Sequence, residues 1–188
     1  MPDSLSVEQM EDLFWQVTMK ILGFNPANFS DEHNPPAFMP VRISWPQEGA
    51  PAWKIDEDVT FIRLVPHEDD DYARQIDSTY EATLGTVIKK SSRTRVLEVH
   101  FVVYGPNASI NVNKIKDGVF RQDVKRVLSA SSVFLIPDLP PSRRVPELYA
   151  GRWWDRWDLS LFFNEGYQLP DEDVGRIESV TITNQYNR

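Results

Sequence analysis

Eleven residues near the middle of the chain, Thr94 to Tyr104, leave little freedom in how it folds. They include Val96, Leu97, Val99, Phe101, Val102 and Val103, so apolar side chains fall at both odd and even positions. Successive side chains of a strand point to opposite faces, and a strand apolar on both faces cannot lie open to water. The run predicts a central strand covered on two sides, by helix on one and by another layer or subunit on the other. Gly105 and Pro106 close it. Upstream, Thr79 to Lys89 is β-prone around Gly85, and Lys90 to Arg93 reads as a polar turn. The two flanking segments are expected to pair as a hairpin across that turn.

Helices are available to cover this strand. Ser6 and Gln9 have capping-box spacing, and Leu5 and Met10 stand where a hydrophobic staple forms. Val7, Met10, Phe14, Val17 and Ile21 then recur at steps of three and four and share a face. Glu8, Glu11 and Asp12 at the start and Lys20 near the end suit the helix dipole, and Gly23 is a natural stop. Trp15 lies beside this stripe, as a core shoulder or as a contact on a neighbouring subunit. A second helix is expected from Ala108 to Gly118, with Ile110 and Ile115 inward and Val119 packing just beyond. A third runs from about Arg121 to Ala130, with Val124, Val127 and Leu128 inward.

Short strands are expected at Val41–Trp45, Val59–Val65 and Ser132–Pro137. After Gly151 a long half-buried strand is expected. Trp153, Trp157, Leu159, Leu161 and Phe163 fall on one face; Trp154, Arg156, Asp158, Ser160 and Asn164 fall opposite, with Phe162 as the exception. Residues 165–175 read as an acidic turn, and Ile177–Thr183 as a last strand. Strands adjacent in sequence without intervening helices argue for α+β, a mixed, mostly antiparallel sheet with helices packed on one face. The length of 188 residues suits a single domain, 1–188. Six prolines between 24 and 58 predict an extended arm there, and 184–188 is a short tail.

Charge and composition remove several functions. The net charge is −8, against a wholesale phosphate-binding surface. The charge is unevenly spread: residues 1–81 sum to −11, 82–160 to +6 and 161–188 to −3. Such segregation favours contact between copies through complementary potentials, unless the blocks intermix on folding. With no cysteine, disulfides, thiolate metal sites and cysteine nucleophiles are excluded. No apolar run is long enough for a membrane span, and the opening MPDSLSVEQMEDL lacks the pattern of a secretory signal. The three histidines are His33, His67 and His100, and no HExxH, GxSxG or P-loop pattern contains them or any other residue. His100 in the central strand suits a core or sheet-edge role. The run from His67 to Asp71 is acidic but lacks the alternating ligands of a calcium loop. No catalytic residue, cofactor or metal ligand is assigned.

The densest block is 143–163, RRVPELYAGRWWDRWDLSLFF, with three of the six tryptophans and four arginines. Arg and Trp combine large area with directional donors and are over-represented among interface anchors. Asp155 and Asp158 can pair with Arg152, Arg156 or a neighbour's arginine. The candidate interface residues are Arg143, Arg144, Glu147, Arg152, Trp154, Arg156 and Asp158. A core strand with a charged outer face is one alternative. A base-stacking platform is another, although the interleaved Asp would repel phosphate.

Tyr104-Gly105-Pro106-Asn107-Ala108 resembles the strand-to-helix junction of a family of tailed-phage neck or tail-terminator proteins. Arg144-Val145-Pro146-Glu147-Leu148, followed by Gly151-Arg152-Trp153-Trp154, Arg156 and Asp158-Leu159, resembles that family's most distinctive block. Trp157 and the acidic 67–71 loop depart from the pattern. The resemblance implies a small α+β subunit of a ring, usually a hexamer, with structural work and no catalysis. Its implied partners are other copies of itself, the head-side connector or stopper ring, and the tail tube protein. Packaged DNA would pass through the lumen without specific binding, and the ring would sit in the virion neck after assembly in the host cytoplasm. An adaptor or stopper ring, a nucleic-acid-binding module using 121–126 and 143–156, and a hydrolase using His67 or His100 are the competing readings.

Overall fold

The computed structural model describes residues 5–29, 38–44, 53–67, 76–83 and 86–175. Helix α1, Val7–Leu22, starts on the expected capping box. The Ser6 hydroxyl accepts from the Gln9 backbone and the Gln9 side chain accepts from the Ser6 backbone, at 3.2 and 2.9 Å. It ends at Gly23, whose φ of 94° is left-handed. A single 3-10 turn, Pro26–Asn28, follows. Four strands come next: β1 (Val41–Ile43), β2 (Val59–Pro66), β3 (Asp77–Thr83) and β4 (Thr86–Tyr104). Then come α2 (Ala108–Gly118), α3 (Gln122–Ala130), β5 (Val133–Leu135), β6 (Arg143–Arg144), β7 (Glu147–Tyr149), β8 (Arg152–Trp154), β9 (Arg156–Gln168) and β10 (Glu172–Val174).

The main sheet runs β1-β2-β4-β9-β5. β1 and β2 are parallel, and the other pairings are antiparallel. β6 adds to β9, and β3 and β10 add to the first half of β4. Strands β7 and β8 form a separate two-stranded ribbon. The fold is α+β with a mixed, mostly antiparallel sheet. Its core lies between the helices and one face of the sheet. Leu97, Val99, Phe101 and Val103 of β4 and Leu159, Leu161 and Phe163 of β9 meet Met10, Phe14 and Val17 of α1, Val112 and Ile115 of α2, and Val124 and Leu128 of α3. Phe14 meets Phe163 edge to face at 4.8 Å. Gly118 lets α2 approach α1, since a Cβ there would run into the Ile21 side chain. Among the described residues no helix is long and apolar enough to cross a membrane.

The junction after β4 is built around one glycine. Gly105 has φ of 113°, and a Cβ there would lie 2.5 Å from Asp58 Oδ1 and 2.6 Å from the Glu57 carbonyl oxygen. The same Asp58 carboxylate accepts from the Asn107 backbone and side-chain nitrogens, each at 2.8 Å. The loop before β2 thereby holds the start of α2, where the Asn107 side chain itself supplies no cap.

Several sequence expectations are corrected. Val7 is exposed rather than on the buried stripe of α1, because the core begins at Met10. In α2 the buried residues include Val112 and Ile115, while Ile110 faces outward. Lys90 to Arg93 is no turn. β4 runs through it unbroken, and its partner β3 pairs Asp77–Thr83 with Thr86–Ser92. A half-covered strand tolerates polar side chains at every position, so polarity alone does not mark a turn. Residues 165–168 continue β9 instead of turning, and β10 lies in the remainder of the acidic stretch. The strand after Gly151 is broken at Asp155 into β8 and β9, which removes Trp153 from the inward row. Residues 30–37 and 45–52 of the proline-rich segment, the acidic run after His67 and the strand expected at Ile177–Thr183 lie outside the described residues.

Candidate functional site

The face of the sheet turned away from the helices carries the even-numbered side chains of β4 and β9. At the Tyr104 end it is roofed by the β7–β8 ribbon. Tyr104, Glu147, Arg156 and Asp158 form one network there. The Arg156 guanidinium is bidentate to Asp158, with Nε and Nη2 at 2.8 and 2.9 Å from the two carboxylate oxygens. Its Nη1 reaches Glu147 Oε2 at 3.2 Å, and the Tyr104 hydroxyl donates to that same oxygen at 2.6 Å. The hydrogen bond to Asp158, foremost, holds the Arg156 pKa above its ordinary value. Burial, and then the bond to Glu147, raises that of the Tyr104 phenol. One carboxylate of β7 is thus tied to β4 and β9 together, and bidentate pairing fixes the angle as well as the distance.

An aromatic cluster completes the attachment. Trp154 meets Trp53, Tyr104 and Tyr149 at ring-centroid distances of 5.8, 6.2 and 6.0 Å, and Trp53 stacks near Phe61 at 4.7 Å. Trp154, named from sequence as an outward anchor, is thereby packed within its own chain. The outer side of the ribbon is different. Leu148 and Trp153 are direct cross-strand partners and are 59% and 68% exposed. Val145 and Tyr149 beside them are also exposed.

Of the seven sequence-named residues, Glu147, Trp154, Arg156 and Asp158 belong to this attachment. Arg144 lies close by, paired through Nε with Asp155 Oδ1 at 2.8 Å, and Asp155 also gives its carbonyl to the Gly105 amide at 3.3 Å. Arg143 and Arg152 are exposed. The structure brings the first five together and leaves these two at the rim. Alternation carried back from the buried Leu159 puts Trp153 inward and does not single out Leu148, but the break at Asp155 resets that alternation and leaves both exposed. Asp155 between two Trp-Arg pairs was the available signal for that break.

Further along the same face, Glu98 lies between two histidines. Its carboxylate is 3.3 Å from His100 Nε2 and 3.9 Å from His67 Nδ1. His100 Nδ1 is 2.8 Å from Ser160 Oγ. The row is half-buried on a flat sheet surface, and it joins β4 to β9 and to the end of β2. Among the described residues no group of three or more His, Asp or Glu is placed to hold a metal ion. A separate groove of about 460 Å³ lies between α3 and β5, lined by Phe120, Lys125, Arg126, Val133, Phe134 and Leu135 among others.

The organised part of this molecule is therefore a scaffolded surface: an apolar ribbon face, pinned from behind by charged and aromatic groups. The chain matches a family model described as phage neck terminator protein over residues 8–187. No curated protein matches it. The match includes both the Tyr104–Ala108 junction, with its glycine pressed against Asp58, and the Arg144–Leu159 block that forms the ribbon and its attachment. The work of such a subunit is to join other proteins. The chain belongs to the phage neck terminator family, whose members are structural, non-catalytic ring components of the virion neck between tail and head.

Proposed function

We propose that the chain forms a hexameric terminator ring in which the outer face of the β7–β8 ribbon is a principal contact between subunits. One side of the ring meets the tail tube protein and the other the head-side connector or stopper ring. The observation that carries this reading is the exposed Leu148–Trp153 pair on a ribbon fixed by the Tyr104–Glu147–Arg156–Asp158 network. An apolar pair held rigidly in water is costly unless a partner covers it, and pre-organisation lowers the cost of binding one. Arg143 and Arg152 at the rim, with Arg144, add charge that selects the partner's orientation. Glu147, Trp154, Arg156 and Asp158 contribute by holding the ribbon in place. The net charge of −8 suits a lumen that DNA traverses without sticking. The ring forms in the host cytoplasm and is carried in the virion neck.

The test is native mass measurement and negative-stain imaging of the purified chain. Rings are expected, and a strictly monomeric protein that is also missing from virions overturns the proposal. Trp153→Ala should weaken assembly by about 2 kcal/mol or more while leaving the fold intact. Arg152→Ala should weaken it less. Trp154→Ala should lower the melting temperature of the subunit itself, which separates the ribbon's outer face from its attachment.

A further inference from the structure

Strand β4 extends well past the helical layer, and with β3 and β10 it makes a three-stranded projection. This arm has two unusual properties. It carries five carboxylates, Asp77, Glu81, Asp171, Glu172 and Asp173, against two lysines. Both lysines are already engaged within the arm, Lys89 with Glu172 at 3.0 Å and Lys90 with Glu81 at 2.9 Å. The arm also ends its sheet in a seven-residue strand, β3, that pairs on one side only among the described residues. Tyr80 on it, and Ile76 just before it, are exposed. An edge strand with an exposed aromatic side chain is a template for pairing, and charged residues along it restrict that pairing to a partner of opposite charge. On β3 those charges are Asp77 and Glu81.

A complementary surface lies on the same chain. At the other edge of the main sheet, β5 also pairs on one side only among the described residues. The groove beside it is lined by Phe120, Val133, Phe134 and Leu135, and its charged lining residues are the cations Lys125 and Arg126. Phe120 and Phe134 are exposed.

We infer that in the ring the acidic β3 edge of one subunit's arm seats in the basic, apolar groove between α3 and β5 of the next copy. Asp77 and Glu81, on one face of β3, then meet Lys125 and Arg126 of α3, while Tyr80, on the opposite face, packs on the exposed Phe134 of β5. The contact is heterologous, because arm and groove are different surfaces, and heterologous contacts close into rings when the rotation allows it. The inference rests on the ring reading and gives it a second contact, separate from the ribbon.

The absence of cysteine in the natural chain makes the test direct. Two double variants, Tyr80→Cys with Phe134→Cys and Glu81→Cys with Arg126→Cys, are oxidised mildly and run on a denaturing gel. A ladder of cross-linked dimers and higher multimers with at least one pair supports the inference. Lys125→Glu with Arg126→Glu should raise the protein concentration for half-assembly by about tenfold, and adding Asp77→Lys should recover part of that loss. Rings that form normally in all these variants with no ladder overturn the arm contact and leave the ring reading standing. A natural chain that stays monomeric at every concentration and is also missing from virions overturns both.

Discussion

Strand β4 belongs to two different regions of the molecule. From Leu97 to Tyr104 it lies in the body, with Val99 and Val103 fully buried under the helices. From Thr86 to Ser92 it lies in the arm, where most side chains are only half-covered. The backbone is the same ladder throughout, yet the two halves are held by different forces. The body half is stabilised by removal of apolar surface from water, worth about 25 cal/mol per Å². The arm half has the ladder itself, the Ser78–Ser91 hydroxyl contact at 2.9 Å and exposed ion pairs that contribute little. Local stability follows burial rather than hydrogen-bond count. The arm is therefore the part able to change shape on meeting a partner, and the body is the part that fixes where the arm starts.

Substitutions can break or sharpen that contrast. Phe14→Ala removes the ring that meets Phe163 at the centre of the body. It should cost about 3–5 kcal/mol and be visible as a large fall in melting temperature. Glu165 sits at the boundary between the regions, 1% exposed and paired with Arg95, whose guanidinium also lies 4.8 Å from the centre of the Tyr167 ring. Glu165→Ala leaves that arginine without its buried partner and should cost about 2 kcal/mol, less than a deeply buried pair because Arg95 is partly solvated. Hydrogen exchange should then rise in both halves of β4, which neither a body nor an arm substitution alone would do.

Gly105→Ala places a methyl group against Asp58 in a left-handed backbone and should cost roughly 2 kcal/mol by chemical denaturation. Tyr104→Phe removes one hydrogen bond to Glu147 and should cost about 1 kcal/mol. Its clearer signature is in pH. The Tyr104 pKa is raised in the folded chain by burial and by Glu147, so the folded state keeps a proton that the unfolded state gives up. The stability from this group is complete below the ordinary tyrosine value of 10.0 and is lost as pH rises from there toward the folded value. Tyr104→Phe should flatten that alkaline decline. The smallest effect belongs to the arm: Lys89→Ala with Lys90→Ala should leave the melting temperature unchanged and increase exchange only in β3, β10 and the first half of β4.

The same contrast explains what the sequence made legible. Helix α1 could be read because its signals are local: the Ser6–Gln9 box, a stripe from Met10 to Ile21 and Gly23 as the stop. The central strand and the outer and inner rows of β9 could be read because burial imprints alternation on them. The arm could not, since Lys89, Lys90, Ser91, Ser92 and Arg93 are polar on both faces and carry no periodic mark. The ribbon was read with the wrong tryptophan outward because Asp155 interrupts the strand. The burial of Glu165 was equally hidden, as its compensating partner Arg95 is 70 residues away. The candidate surface was found by composition, and its orientation was decided by a backbone break that composition does not record.

The nineteen residues of β4 span about 60 Å at the usual rise per residue, and β9 follows them in unbroken register from Ser92 to Tyr104. Only its inner half is stiff, so a load on the outer end is absorbed by the arm before it reaches the sheet that carries the ribbon.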